Sequence, residues 1–338
     1  MRYQHVNVAR SGGLETMELT ISDTGPVKPG EVIVRVEAAG ISYGDILHRL
    51  GVIPGSVKPP FTPGYDLAGV VEEVGAGVQG LEAGQPVAAV VNTGGYAERI
   101  ALPAERVVPM PAGVDAVTAV AAGLNYFIAY QMLHRVAAAK PGQRVLVHGA
   151  SGGVGLAFLQ LAELAGIECW GSASTKNQHI IEKYNGHPID YQREDFVQII
   201  RGLPEKKVYA AFDAIGGFHF HRSYSLLEKG GILVAYGQSA ALVDGKPKAA
   251  VGAWGFLGGI AFPKLIPDGR RTTFYNAWAL EKSHPQAYRE DLGKVLSLLA
   301  EGQIEPMIAK TVPLSEAVTA QRDLESGAVT GKIVVTTE

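Results

Sequence analysis

The stretch RVLVHGASGGVGLAFLQLAELAG, residues 144–166, decides the fold, because it joins a buried apolar strand to a helix through a glycine-rich turn. Val145, Leu146 and Val147 suit a strand covered on both faces. From Val154 the apolar residues Leu156, Leu159, Leu161, Leu164 and Ala165 recur at roughly helical spacing. The turn between them is Ala150, Ser151, Gly152, Gly153, Val154 and Gly155, with Ala150 standing where the usual pattern has its first glycine. Gly152 has no Cβ, so a pyrophosphate can approach the main chain. Gly155 lets the helix pack close to the sheet and leaves its first amides pointing at the phosphates. Strand, glycine turn and helix in that order predict a dinucleotide site.

The second strand of the unit says which nucleotide. An acid that holds the adenosine ribose hydroxyls belongs about 20 residues or a little more beyond the turn. The candidate strand, Glu168 to Ala173, runs instead into Ser174-Thr175-Lys176-Asn177, which carries no acid. Hydroxyls, an amide and an ammonium suit a 2′-phosphate, whereas a carboxylate would repel that dianion, so NADPH is expected over NADH. The competing reading makes Ser174 a helix N-cap and Lys176 a solvated residue.

Composition describes a soluble enzyme of ordinary size. The 338 residues are 47% hydrophobic, enough for two domains, and 30 Lys plus Arg against 33 Asp plus Glu give no pull toward nucleic acid. Cys169 is the only cysteine, which excludes an internal disulfide or a cysteine-built zinc cage and fits a reducing compartment. MRYQHVNVARSGG at the start lacks a signal-peptide core, and the near-apolar run Ala249–Phe262 is too short and glycine-rich to span a bilayer. A cytoplasmic protein is expected.

The texture of the chain changes twice. Residues 1–110 hold short β-branched runs, Val32–Val36, Ala68–Val74, Pro86–Val91 and Tyr96–Leu102, punctuated by Gly and Pro, as in an irregular antiparallel β domain. A helical segment follows from Asp115, and after the nucleotide turn strands Val208–Asp213, Ile232–Tyr236 and Thr272–Tyr275 alternate with helical stretches such as His219–Leu227. A helix around Tyr288–Ala300, another from Ser315 and a strand Lys332–Val335 close the chain, the strand returning to the first domain.

Four successive blocks then carry a family resemblance: GISYGDILHRLG at 40–51, TPGYDLAGVVEEVGAGV at 62–78, GGYAERIALPAERVVPMP at 94–111 and VLVHGASGGVG at 145–155. The chain resembles the medium-chain dehydrogenase/reductase superfamily, and within it the zinc-independent quinone oxidoreductases. HPIDYQREDFVQII at 187–200 and FDAIGG at 212–217 look closest to the branch of vesicle amine transport protein homologues. The resemblance implies an α/β protein. A GroES-like irregular β-barrel domain (1–120 and 278–338) would carry the substrate, and a Rossmann domain with a doubly wound parallel sheet (121–277) would bind NADP.

Zinc-dependent relatives place their first ligand, a cysteine, where this chain has Ser42, and their histidine-glutamate pair where it has Tyr65-Asp66. Asp66 alone cannot hold a catalytic zinc, which needs about three protein ligands, so no metal is expected. His48, His134, His148, His219 and His221 read as surface or strand-end residues, with no metal-like grouping with acids. The expected chemistry is hydride transfer from NADPH to a quinone or an α,β-unsaturated carbonyl compound, with Ser42, Tyr43 and Tyr65 on the catalytic wall. The two tyrosines serve there as proton donors or as lining. The alternative is an NADPH-binding scaffold or membrane-associated protein with little turnover. Cofactor contacts implied by the resemblance are Asn125, whose local alternative is a helix N-cap, Tyr191, and Asp213–Gly217 with Ile215. Gly237-Gln238-Ser239 and Phe274-Tyr275 complete that set. The resemblance also implies a homodimer through the last strand of the sheet. The apolar stretch GAWGFLGGIAFPKLI at 252–266 fits a substrate lid, a dimer contact or a membrane-facing surface.

Overall fold

A computed structural model of the chain describes residues 1–52, 57–243, 246–327 and 329–337. Its elements run in the order β1 Arg2–Val8, β2 Met17–Asp23, β3 Glu31–Ile41, α1 Tyr43–Arg49, β4 Asp66–Val74, β5 Pro86–Val90, β6 Arg99–Pro103, β7 Val108–Pro109 and α2 Ala116–Tyr130. Then come β8 Arg144–His148, α3 Gly153–Leu164, β9 Glu168–Ala173, α4 Gln178–Lys183, β10 His187–Asp190, α5 Phe196–Gly202, β11 Val208–Asp213, α6 Phe218–Ser225 and β12 Leu227–Ala235. The remainder is β13 Leu242–Val243, β14 Lys246–Pro247, α7 Ala249–Phe256, β15 Arg271–Phe274, α8 Ala277–Ser283, α9 Ala287–Ala300, β16 Ile308–Pro313, α10 Ala317–Glu325 and β17 Lys332–Thr336. Two compact units result, Met1–Phe127 with Gln286–Glu338, and Ile128–Pro285.

The first unit is built on a seven-stranded sheet in the order β16-β17-β3-β4-β5-β7, with β6 also on β3. Val32, Val34 and Val36 of β3 join Leu67 and Val71 of β4, Val87 of β5 and Val335 of β17 in one buried apolar cluster. The period-2 alternation turns these valines to one face of the sheet, and the other face of β3 is covered too, with Ile33 and Ala38 fully buried. β17 lies antiparallel to β3, with Val335 opposite Ala39, so the final strand does return to the first domain. It also has a neighbour in sequence that the residues did not announce: β16 pairs with it in parallel. The hairpin β1–β2 likewise goes beyond the sequence reading.

The second unit holds a six-stranded sheet in the order β10-β9-β8-β11-β12-β15. Every neighbouring pair is parallel. The chain winds outward from β8 through β9 and β10, then crosses to β11 on the other side. That reversal is the doubly wound order with its switch point between the first and fourth strands, where such sheets bind ligands. Leu146, Ala211, Leu233 and Phe220 pack at the centre with no exposed surface.

Two local expectations need correction. The helix expected over 219–227 ends at Ser225, and Leu227 already belongs to β12. Asn125 is not an N-cap, because it sits deep within α2. The run at 249–262 overlaps a shorter apolar helix, and a longer one precedes it. Ala116–Val136 is long and apolar enough by length and composition. Its residues Ala119, Val120, Ala122, Tyr126 and Phe127 are buried, as in a core helix.

Candidate active site

Strand β8 ends at His148, and Gly149 turns the chain with φ +71°. Gly152 then serves as the N-cap of α3 at φ −77° and ψ 172°, an extended conformation open to any residue. A Cβ built there meets only the Gly149 carbonyl oxygen, at 3.3 Å, and otherwise points into open space. Gly155 differs: its Cβ would lie 2.3 Å from the Gly149 oxygen and 2.4 Å from the Ala150 Cα. Gly155 is therefore required by the packing of helix on turn, and Gly152 is not required by the backbone at all. Among the described residues the amides of Gly153, Val154 and Gly155 have no backbone acceptor, whereas Leu156 N–H already donates to Gly152. Three free amides at a helix N-terminus beside an open glycine make an anion cradle. Ala150 is fully buried, and the Ser151 hydroxyl accepts from Asn177 at 3.2 Å.

At the end of β9, Ser174 begins a short 3-10 turn without a side-chain cap bond, and Lys176 is exposed. One acid that the linear reading did not place comes near. Asp190, closing β10, accepts the Thr175 hydroxyl at 2.5 Å and the Gln192 amide at 3.0 Å. Tyr191 beside it is 60% exposed. On the far side of the switch point, segments 213–217 and 237–241 are laced together. Ser239 N–H donates to Ala214 at 3.0 Å and Ala240 N–H to Ile215 at 2.8 Å. A Cβ on Gly237 would lie 2.8 Å from the Ala214 oxygen. The Gln238 Oε1 is buried without a hydrogen-bond partner among the described residues, an orphan acceptor at the carboxyl edge of the sheet. Phe274 is partly exposed, but Tyr275 is buried and donates its hydroxyl to Gln131 at 2.7 Å.

Beneath the glycine turn the structure overturns one reading: His148 and His219 do group with an acid. One ligand atom each from His148, Asp213 and His219 lie within 4.8 Å of one another. Hydrogen bonds account for the grouping. Burial pushes the His148 imidazole down to about 3, so it is neutral. Its two nitrogens meet the Ser172 and Ser223 hydroxyls, each at 3.1 Å. Ser223 donates onward to Asp213 at 2.7 Å, and the His219 Nδ1 lies 2.7 Å from the same carboxylate oxygen. Burial alone would raise Asp213; the His219 hydrogen bond and the nearby histidines outweigh it and hold the carboxyl near 2. The other Asp213 oxygen accepts the amides of Ile215 and Gly216. This network ties the ends of β8, β9 and β11 to the loop at 213–217, and it takes up both nitrogens of His148 and both oxygens of Asp213.

The first unit carries the remaining candidates. Ser42 caps α1 in a reciprocal capping box with Asp45: its hydroxyl donates to the Asp45 carboxylate at 2.9 Å and accepts the Asp45 amide at 3.3 Å. Asp45 also accepts from the Ser42 amide at 2.8 Å, the Gly64 amide at 2.8 Å and the Tyr96 hydroxyl at 3.0 Å. Burial raises its carboxyl to about 6, against the pull of those bonds. The Ser42 hydroxyl is thus engaged in capping α1. Tyr43 is exposed at the start of α1. Tyr65 is half-buried and its hydroxyl lies 2.9 Å from the His48 Nε2. Asp66 is buried against Lys332, whose Nζ is 3.0 and 3.2 Å from its two oxygens, and it also accepts the Leu124 amide at 3.1 Å. A zinc at these positions does not fit: the Ser42 hydroxyl, the Tyr65 phenol and both Asp66 oxygens are committed elsewhere, and no sulfur or imidazole stands in the ligand positions.

Comparison with known proteins agrees with this geometry. Residues 28–112 match the profile of the alcohol dehydrogenase GroES-like domain, and residues 186–335 that of the zinc-binding dehydrogenases. The synaptic vesicle membrane protein VAT-1 homolog of Danio rerio is 30% identical over 99% of this chain and 70% of its own length. The quinone oxidoreductase of Lama guanicoe is 28% identical over 98% and 96%. Among solved structures, a mycobacterial protein complexed with NADPH superposes with a TM-score of 0.82 at 24% identity, covering 99% of each chain. The chain belongs to the medium-chain dehydrogenase/reductase superfamily, in its quinone oxidoreductase and VAT-1 branch.

Proposed function

We propose that the protein is an NADPH-dependent, zinc-independent reductase that transfers hydride to a quinone or an α,β-unsaturated carbonyl compound. One contrast carries the reading: the turn at 149–155 offers unspent amides over an open Gly152, while every donor at the family's zinc positions is already spent. Bound NADPH supplies the hydride, and a conjugated acceptor spreads the resulting charge onto its own oxygen, which removes the need for a Lewis acid. The amides of Gly153, Val154 and Gly155 hold the pyrophosphate. Lys176 and Ser174 meet the 2′-phosphate, and the orphan Gln238 Oε1 accepts a hydrogen bond from the cofactor. Quinone oxidoreductase relatives and the NADPH complex of a fold neighbour support this assignment. The test is oxidation of NADPH, compared with NADH, against a panel of quinones, enones and enoyl thioesters.

A second reading, a cofactor-binding scaffold on a membrane or partner, is favoured by one observation: Trp254, Leu257, Phe262 and Leu265 are all exposed on the segment following β14. Tight NADPH binding with no acceptor reduced would select it. β15 ends the sheet with one edge unpaired among the described residues, which supports a homodimer formed there. Light scattering on the purified protein tests it.

A further inference from the structure

We propose that Asp190 and Thr175 form a brace that sets the preference for NADPH, with Asp190 as a positioning residue that acts on the 2′-phosphate through the turn at 174–177. The proposal rests on the NADPH reading above, and the brace lies wholly within the second unit. It stands beside the glycine turn. Ala150 N–H donates to the Ser172 carbonyl oxygen at 2.9 Å, and the Asn177 side chain donates to the Ser151 hydroxyl at 3.2 Å, so the turn at 174–177 adjoins the anion cradle. On the other side of that turn lies β10, parallel to β9, with Asp190 level with Ala173. Three hydrogen bonds join the end of β10 to the turn: Tyr191 N–H to the Ala173 carbonyl at 3.2 Å, Thr175 N–H to Gln192 Oε1 at 3.1 Å, and the Thr175 hydroxyl to Asp190 Oδ2 at 2.5 Å.

In sheets of this kind that select NADH, an acid at the carboxyl edge faces the ribose hydroxyls. Asp190 is an acid at that edge turned to another task. It is 9% exposed, and while one oxygen takes the Thr175 hydroxyl the other takes the Gln192 amide, at 3.0 Å. A hydroxyl bonded to a carboxylate at this length is a strong, charge-assisted contact. Arg193 lies 3.8 Å from the same Oδ2 with its side chain 74% exposed, too loose and too well solvated to hold the carboxylate in place of Thr175.

Two consequences follow. The turn is held in one conformation, with Ser174 and Lys176 on either side of the braced Thr175, and the carboxylate is bonded to the turn instead of facing a dianion. Ordering the turn in advance removes a cost that the 2′-phosphate would otherwise meet on binding. NADH has no such phosphate and gains nothing from it. A carboxylate acting only as a like charge would have the opposite effect, since its removal would strengthen NADPH binding. The sign of the change at Asp190 therefore separates a brace from a bystander.

The test measures Kd values of the full-length protein for NADPH, NADH and adenosine 2′,5′-bisphosphate, the last a probe of this end of the cofactor alone. Thr175→Val, a change at an exposed position, should weaken NADPH and the bisphosphate by about three- to tenfold, the cost of ordering a loosened side chain or two, with NADH within about twofold of the wild type. Thr175→Ser, which keeps the hydroxyl, should bind all three as the wild type does. Asp190→Ala should weaken both phosphate-bearing ligands although it removes a negative charge. If Asp190→Ala does not fold, Thr175→Val and Thr175→Ser decide the matter. Three results would each overturn the brace and leave the NADPH reading standing: a preference for NADPH over NADH that falls by less than about threefold in Thr175→Val, a Thr175→Ser protein as impaired as Thr175→Val, or an Asp190→Ala protein that binds NADPH more tightly. Equal binding of NADPH and NADH by the wild type would overturn the 2′-phosphate reading, and the brace with it.

Discussion

Replacing Gly152 by valine separates binding from folding at the glycine turn. At φ −77° and ψ 172° the position suits a β-branched residue, and the new Cβ would meet only one carbonyl oxygen, at 3.3 Å. Valine is a poorer N-cap than glycine, a loss of about 1 kcal/mol. For a unit of this size that lowers the melting temperature by about 2–4 °C. Binding should suffer far more. The side chain occupies the space through which phosphate oxygens reach the free amides of residues 153–155. Loss of two charge-assisted hydrogen bonds at about 1.5–3 kcal/mol each weakens the Kd by about 10² to 10⁴-fold. Scanning calorimetry paired with NADPH fluorescence titration reads both quantities. A folded Gly152→Val protein that binds NADPH normally would refute the placement of the site, and a melting temperature lowered by about 15 °C or more would refute the claim that the backbone does not need this glycine. Gly155→Ala is the converse control: a methyl 2.3 Å from a backbone oxygen forces the helix off the turn and should destabilise the second unit whether or not cofactor is present.

Lys176→Ala should erode a preference for NADPH over NADH of about tenfold, or 1.4 kcal/mol; equal dissociation constants for the two cofactors in the wild type would sink the electrostatic argument. Acid should act oppositely on the two units. His148 is held neutral down to about pH 3 while an unfolded histidine takes a proton near 6.5, so stability present above pH 6.5 is lost as the pH falls toward 3, roughly 5 kcal/mol in all. Asp45 titrates near 6 in the fold and about 4 unfolded, so its contribution is present below 4 and lost as the pH rises through 6, roughly 3 kcal/mol. Amide exchange at pH 4.5 and 7 should therefore show the second unit opening first in acid, and the reverse order would be inconsistent with a neutral buried His148. Elemental analysis should find no stoichiometric zinc and chelators should leave turnover unchanged; close to one zinc per chain would overturn the zinc-independent reading.

The parts of the fold that could be read from sequence are those in which burial alone sets the pattern. β9 and β11 were legible to the residue, because both are short, mostly buried and bounded by polar turns. β1 and β2 were not: they form a two-stranded sheet of their own, and their half-exposed, polar-rich faces dilute the alternation. β16 is an exposed edge carrying Lys310 and ending in Pro313, the residues that disguise an edge strand. At the site, the glycine turn announced itself through local spacing. The capping role of Ser42 has a signal of its own, since Ser42 and Asp45 have the spacing of a capping box. The His148–Asp213–His219 network and the Tyr65–His48 pair leave no such trace, because each joins residues of different elements at no fixed helical or strand spacing.

The buried pair of Asp66 and Lys332 has a consequence for the order in which the protein can be made. Asp66 lies on β4 and its partner on the last strand, which also supplies β3 with its neighbour. Until Lys332 leaves the ribosome, burying Asp66 would leave a carboxylate without its counter-charge, a penalty of about 3–5 kcal/mol. The strands synthesised first are therefore among the last to be completed. At about 5–20 residues per second they wait on the order of ten to forty seconds while the 128–285 segment, whose sheet is continuous in sequence, emerges and closes around its own core.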